Sequence, residues 1–75
     1  MAVDVTHSRT SPKLVERLIF AAKLRVSRAV LGWTQTELGH RVGLSQRAVH
    51  MIEQAETEPR PLTVRRIEQF WGDMF

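Results

Sequence analysis

The chain has 75 residues, 43% hydrophobic and 25% charged, with a formal net charge of +3. A chain of this size buries only roughly 60% of its unfolded surface, so it makes one small domain, marginally stable unless a second copy contributes. Its hydrophobic content excludes wholesale disorder, and the lack of cysteine excludes a disulfide framework and a thiolate metal site. No apolar run approaches the ~20 residues of a membrane span and no signal-peptide pattern opens the chain; a cytoplasmic protein is expected. The charge is unevenly placed. Residues 1–31 carry six Lys/Arg against Asp4 and Glu16, whereas residues 32–75 carry five Arg against six acids. Any affinity for a polyanion must come from placed contacts and the basic first part of the chain.

Residues 1–11 are polar and aperiodic. They read either as a frayed terminus or as a flexible arm able to touch a nucleic acid with Arg9. The domain proper is expected over residues 12–75. Ser11 can cap a helix and Pro12 suits its first position. From Lys13 to Leu31, apolar residues recur at three- and four-residue steps (Leu14, Leu18, Ala21, Ala22, Leu24, Val26, Ala29, Val30), as an amphipathic helix requires. Val15, Ile19 and Phe20 widen that stripe beyond what one core needs. Gly32 ends a helix of about 19 residues, longer than the mean of ~11–12.

Thr34 can cap a second helix, and Glu37, three residues on, completes a capping box. Gly43 follows Val42 where that helix stops, because glycine enters the left-handed conformation without steric cost. Ser45 offers a further cap for a helix over 46–54 with Val49 and Ile52 on its apolar side. Two helices hinged at a glycine make a helix-turn-helix pattern, whose second helix is the one that reads DNA. Pro59 and Pro61 then forbid a continuous helix. Thr63 can cap a last helix with apolar positions at Val64, Ile67, Phe70 and Trp71, stopped by Gly72. The expected fold is all-α, with four helices. Leu38, Val42, Val49 and Ile52 should pack the two motif helices on each other and on Leu31, Ile67 and Phe70.

Residues 24–71 resemble the Cro/CI-type (xenobiotic-response-element) helix-turn-helix family of phage repressors and small bacterial regulators. The resemblance rests on Arg28, Leu31-Gly32-Trp33-Thr34-Gln35, Glu37-Leu38, Val42-Gly43-Leu44-Ser45, Val49, Ile52-Glu53, Pro59 and Thr63, with no gap through the motif. Leu-Gly-Trp-Thr-Gln followed by Glu-Pro-Arg-Pro also looks like short regulators of mobile elements, including controller proteins. The implied fold is a lambda-repressor-like bundle, here with a long N-terminal helix and no full fifth helix. Gly39 stands where the family usually has alanine, either being small enough for a tight helix–helix crossing, and Ala55 where glycine is common.

The resemblance implies base contacts from the residues just after the second cap: Gln46, Arg47, Ala48, His50 and Met51. Chemistry agrees, since Arg can fork to guanine O6 and N7, Gln can pair with adenine N6 and N7, and Ala48 or Met51 can meet a thymine methyl. The bland alternative is a solvated helix face. Gln35, at a helix N-terminus that attracts phosphate, is implied to touch the DNA backbone and to brace Gln46. Thr34, Ser45, Arg60 and Arg41 are further backbone candidates. Arg60, stiffened between two prolines, is otherwise a solvated loop arginine. Arg28 and Glu53 match an ion pair that joins the first and reading helices in phage repressors, a structural role.

His7, His40 and His50 are dispersed without metal-ligand spacing, so no metal is expected. No catalytic constellation or pocket is in view, so neither an enzyme, a cofactor nor a small-molecule ligand is expected. Trp33, Phe70 and the long first helix carry more apolar surface than four short helices bury. Leu14, Val15, Leu18, Ile19, Trp71, Met74 and Phe75 are therefore expected to replace the absent fifth helix in a homodimer, the alternative being that they close one monomer core. The function expected is a dimeric, sequence-specific regulator with helix 46–54 in the major groove of a double-stranded DNA operator. It would act by occupancy or by touching RNA polymerase, for which Glu37, Glu56 or Glu58 are candidates. Two alternatives stay open: an antitoxin that binds its own promoter, and a recombination directionality or architectural factor.

Overall fold

The computed structural model describes residues 12–72 and 74–75. The expected N-terminal arm and the Ser11 cap lie outside the described residues. Four helices follow in order: α1 (Pro12–Leu31), α2 (Gln35–Val42), α3 (Gln46–Glu53) and α4 (Pro61–Trp71). No strand occurs among the described residues.

Local chemistry accounts for most of the boundaries. The Thr34 hydroxyl accepts from the Glu37 N–H at 3.1 Å and the Glu37 carboxylate accepts from the Thr34 N–H at 2.9 Å, closing the capping box. These bonds, the backbone one foremost, hold the Glu37 carboxyl below the usual carboxylate range. Gly43 leaves α2 at φ 76°, and the Ser45 hydroxyl accepts from the Ala48 N–H at 3.1 Å to start α3. The α4 boundary differs from the sequence expectation. This helix begins at Pro61 with Arg60 in the capping position, and no side chain caps it. The fixed φ of proline is pre-set for the first helical turn and its missing N–H is not needed there. Thr63 therefore sits inside the first turn instead of capping it.

Leu24, Leu38, Val42, Val49, Ile52, Ile67 and Trp71 form the core, with Phe20, Trp33, Leu44 and Phe70 packed around it. Two expectations are corrected here. Leu31 is 37% exposed; Leu24, two turns earlier on the inner face of α1, fills the core instead. Trp71 is 7% exposed, so it cannot lie on a dimer surface. Its indole N–H donates to Ser27 Oγ at 2.8 Å, and the Ser27 hydroxyl donates to the Leu24 carbonyl at 2.9 Å. Phe20 and Phe75 each pack against its ring with centroids 5.2 Å away. Trp71 thus closes the core from the C-terminal end, which a buried indole can do only because its N–H has a partner. Met74 is half-buried and Phe75 half-exposed beside it, whereas Val15, Leu18 and Ile19 of α1 face solvent and Leu14 is half-buried.

The two family departures behave differently. A Cβ at Gly39 would collide with the Leu44 backbone carbonyl, so the α2–α3 crossing accepts glycine alone, not glycine or alanine alike. Gly39→Ala should lower stability by roughly 1–3 kcal/mol through overpacking, against a gain in helix propensity of only about 0.5–1 kcal/mol. A thermal melt should show a Tm several degrees lower. At Ala55 the chain takes φ 58°, the left-handed region, which costs a non-glycine residue about 1–2 kcal/mol. Ala55→Gly relieves that strain but frees the unfolded chain by about 0.4–1 kcal/mol. The balance predicts a gain of about 0.5 kcal/mol and a Tm roughly 2–4 °C higher.

Candidate nucleic-acid interface

The exposed side of α3 is held from beneath by a buried carboxylate. Glu53, 1% exposed, ends α3 with its side chain turned inward. Arg28 on α1 grips it with two bonds, Nε to Oε2 at 2.7 Å and Nη2 to Oε1 at 3.1 Å, and spends a third on the Trp33 carbonyl at 3.0 Å. This fork-on-fork pair is the strong kind of charge-assisted contact. The hydrogen bonds to Glu53, with its charge, outweigh partial burial and raise the Arg28 pKa above the ordinary arginine value. Arg25, one residue short of a turn earlier, donates through Nη1 to the Glu53 backbone carbonyl. Two α1 arginines three residues apart thus clamp the last turn of α3, one on the side chain and one on a carbonyl at the negative end of the helix dipole.

The remaining acceptor capacity of Glu53 dictates which atoms appear at the surface. A carboxylate can only accept, so the Gln35 side chain must turn its amide nitrogen inward, and Nε2 donates to Glu53 Oε1 at 3.0 Å. Gln35 Oε1 then faces outward and accepts from Gln46 Nε2 at 2.6 Å. The same inward Nε2 lies 3.4 Å from His50 Nδ1. That nitrogen must therefore accept, and the proton of a neutral His50 ring sits on Nε2, pointing out. The consequence is a fixed polarity: Gln46 shows a carbonyl oxygen and one spare N–H, and His50 shows a donor.

Around the helix, Gln46, Arg47, His50 and Gln54 are exposed, while Ala48 and Met51 are half-buried. The last two line a groove of about 420 Å³ between α3 and the following loop, shared with Thr57, Arg60 and Leu62. Of the backbone candidates, Thr34 and Ser45 stand at the N-termini of α2 and α3, with both hydroxyls serving as caps. Arg60 is exposed at the N-terminus of α4. Arg41 is apart from this set: its guanidinium stacks 4.3 Å from the Trp33 ring centroid, about 120° round α2 from Gln35. Arg25 and Gln54 were not singled out from sequence. The three-residue spacing of Arg25 to Arg28 was the available signal for the first. Nothing local marks Gln54, which only the end of α3 brings into the exposed row. Among the described residues no cluster of His, Asp or Glu could hold a metal ion, and no helix is long and apolar enough to cross a membrane.

The family model described as helix-turn-helix matches residues 24–72. No curated protein and no solved structure matches the chain significantly.

Because Glu53 holds three side-chain donors at once, Glu53→Gln replaces charge-assisted bonds with neutral ones and sets an amide N–H₂ against a donor. Denaturant unfolding should register a loss of about 2 kcal/mol, equivalent to roughly 10 °C in Tm for a domain this small. An unchanged unfolding midpoint would show the carboxylate to be dispensable.

Proposed function

The chain belongs to the Cro/CI-type helix-turn-helix family of DNA-binding transcription regulators, and we propose that it works as a homodimer reading a two-fold related operator with the exposed side of α3. In this reading α3 lies in the major groove. Arg47 is the principal base reader: it is exposed and makes no ion pair with a described residue, leaving its fork of donors for guanine O6 and N7. Gln46 offers the acceptor and spare donor that match adenine N6 and N7, and the outward N–H of His50 suits an acceptor such as guanine N7 or thymine O4. Ala48 and Met51 flank this row and meet a thymine methyl from the groove side.

Thr34, Gln35, Ser45 and Arg60 would hold the phosphates on either side, where three helix N-termini present backbone N–H groups and positive dipole ends. Arg41 is better placed to steady Trp33 than to reach the same backbone. The observation that carries the proposal is the relay from buried Glu53 through Gln35 to Gln46 and His50. It fixes the donor and acceptor pattern before DNA arrives, which a merely solvated helix face has no reason to do. In this reading regulation follows from occupancy of the operator.

A gel-shift titration of the full chain against its own upstream region, at one fixed salt concentration, tests the assignment. Arg47→Ala should weaken operator binding by about 1–3 kcal/mol, or roughly 5- to 150-fold, while binding to random duplex changes little. An equal loss on both DNAs would make Arg47 a phosphate contact and sink the base-reading role.

A further inference from the structure

α1 is apolar on two opposite sides. Ala21, Leu24 and Ser27 face the core with at most 1% exposure. At 100° per residue, Val15, Ile19, Ala22, Val26 and Ala29 fall on the opposite side, and the three large ones are 40–51% exposed. One apolar stripe suffices for a helix on the surface of a monomer, so the second is left to be covered from outside. The outer residues follow one another at steps of four, three, four and three, the 3.5-residue period of a helix-pairing seam. The core side of the same helix needs no such period, so the outer stripe carries independent information.

We propose that this stripe is the homodimer interface, in which α1 of two copies pair antiparallel, with Val15 against the partner's Val26 and Ile19 against the partner's Ala22. The inference rests on the homodimer reading above but not on the assignment of base contacts. Three features select this occupant and this direction. The register that sets Ile19 against the partner's Ala22 pairs Val15, Ile19, Ala22 and Val26 with one another; a heptad shift one way pairs only Val15 and Ile19, and a shift the other way gives up Val15 for Ala29 and brings Lys23 against the partner's Lys23. The two-fold axis of an antiparallel pair brings each flank of one helix against the same flank of the other. Along one flank lie Glu16 and Lys23, both exposed, so Glu16 meets the partner's Lys23 twice over. A parallel pair would instead set Leu18 against the partner's Lys23 and Arg25 against the partner's Val30, with no opposite charges meeting. Small Ala22 near the middle of the seam lets the helices approach closely beside Ile19.

The C-terminal end borders this flank without covering the stripe. Lys23 Nζ lies 5.6 Å from the Phe75 ring centroid, so Phe75 adds an apolar edge where the Glu16–Lys23 pairs form. A 20-residue helix is about 30 Å long and ~10 Å across, which places the contact at the small end of specific interfaces. The free dimer is therefore weak, with a micromolar dissociation constant, and a shared operator reinforces it.

Sedimentation of the full chain, with and without operator duplex, tests the pairing. Wild type should be a reversible dimer in the micromolar range. Ile19→Glu should stay monomeric at hundreds of micromolar with an unchanged far-UV circular dichroism spectrum, because the site is exposed. Leu62→Glu, an equally exposed apolar position on α4 that borders the α3 groove, should leave the dimer intact in the absence of duplex. Lys23→Glu should weaken association roughly tenfold at low salt, and adding Glu16→Lys should restore it. A wild-type monomer at hundreds of micromolar in both conditions would overturn the homodimer reading itself. A dimer that survives Ile19→Glu, is lost in Leu62→Glu without duplex, or is not restored by the charge exchange would overturn the antiparallel α1 pairing and leave the homodimer standing.

Discussion

The grip of Arg28 on Glu53 is the contact through which the rest of the molecule is oriented. An eight-residue helix such as α3 is too short to persist alone. Its apolar residues Val49 and Ile52 supply adhesion, but apolar contact is non-directional and tolerates rotation. The carboxylate at the helix end removes that freedom, because Arg28 binds it along two defined directions and Gln35 takes a third. Removing an ion from water is costly, and a well-packed apolar substitute would often be as stable. What the pair contributes is therefore orientation more than adhesion. It ties α1, α2 and α3 at one point and sets the angle at which Gln46, Arg47 and His50 stand clear of the surface.

A second constraint is size. The short core ends in aromatic rings, and Trp71 is their hub, with Phe20, Phe70 and Phe75 around it. Burying so large a side chain is productive only because Ser27, also buried, accepts its N–H. With Trp71 turned inward, most of the apolar surface left over lies along the outside of α1, where Val15, Leu18, Ile19, Val26 and Val30 stay exposed. The division of labour on α1 follows. Its inner face builds the monomer, its C-terminal arginines fix the end of α3, and its outer face stays exposed.

Signals confined to a few residues were legible without the fold. The capping box of Thr34 and Glu37, the left-handed turn at Gly43 and the cap at Ser45 all act within one helical turn, so the motif's boundaries could be read directly. The start of α4 was the exception. Pro61 and Thr63 are both sound start signals two residues apart, and local chemistry alone does not rank them. Gly39 shows the other limit: its size was readable, but the carbonyl of Leu44 that forbids a Cβ arrives from across the turn.

From the sequence by itself came the all-α class, the order and approximate ends of the helices, the helix-turn-helix and the row of side chains following its second cap. Periods and caps are short-range properties, and they survive whatever the helices pack against. Only the tertiary structure decided that Trp71 belongs to the core and Leu31 does not. It also decided that Arg25 joins Arg28 at the end of α3, and that Gln35 turns its nitrogen inward. Each of these depends on which side chain of a distant helix arrives at the same point, and on which hydrogen-bond partners remain once a buried carboxylate has taken its own. Composition and spacing hold no record of that choice; the packed interior makes it.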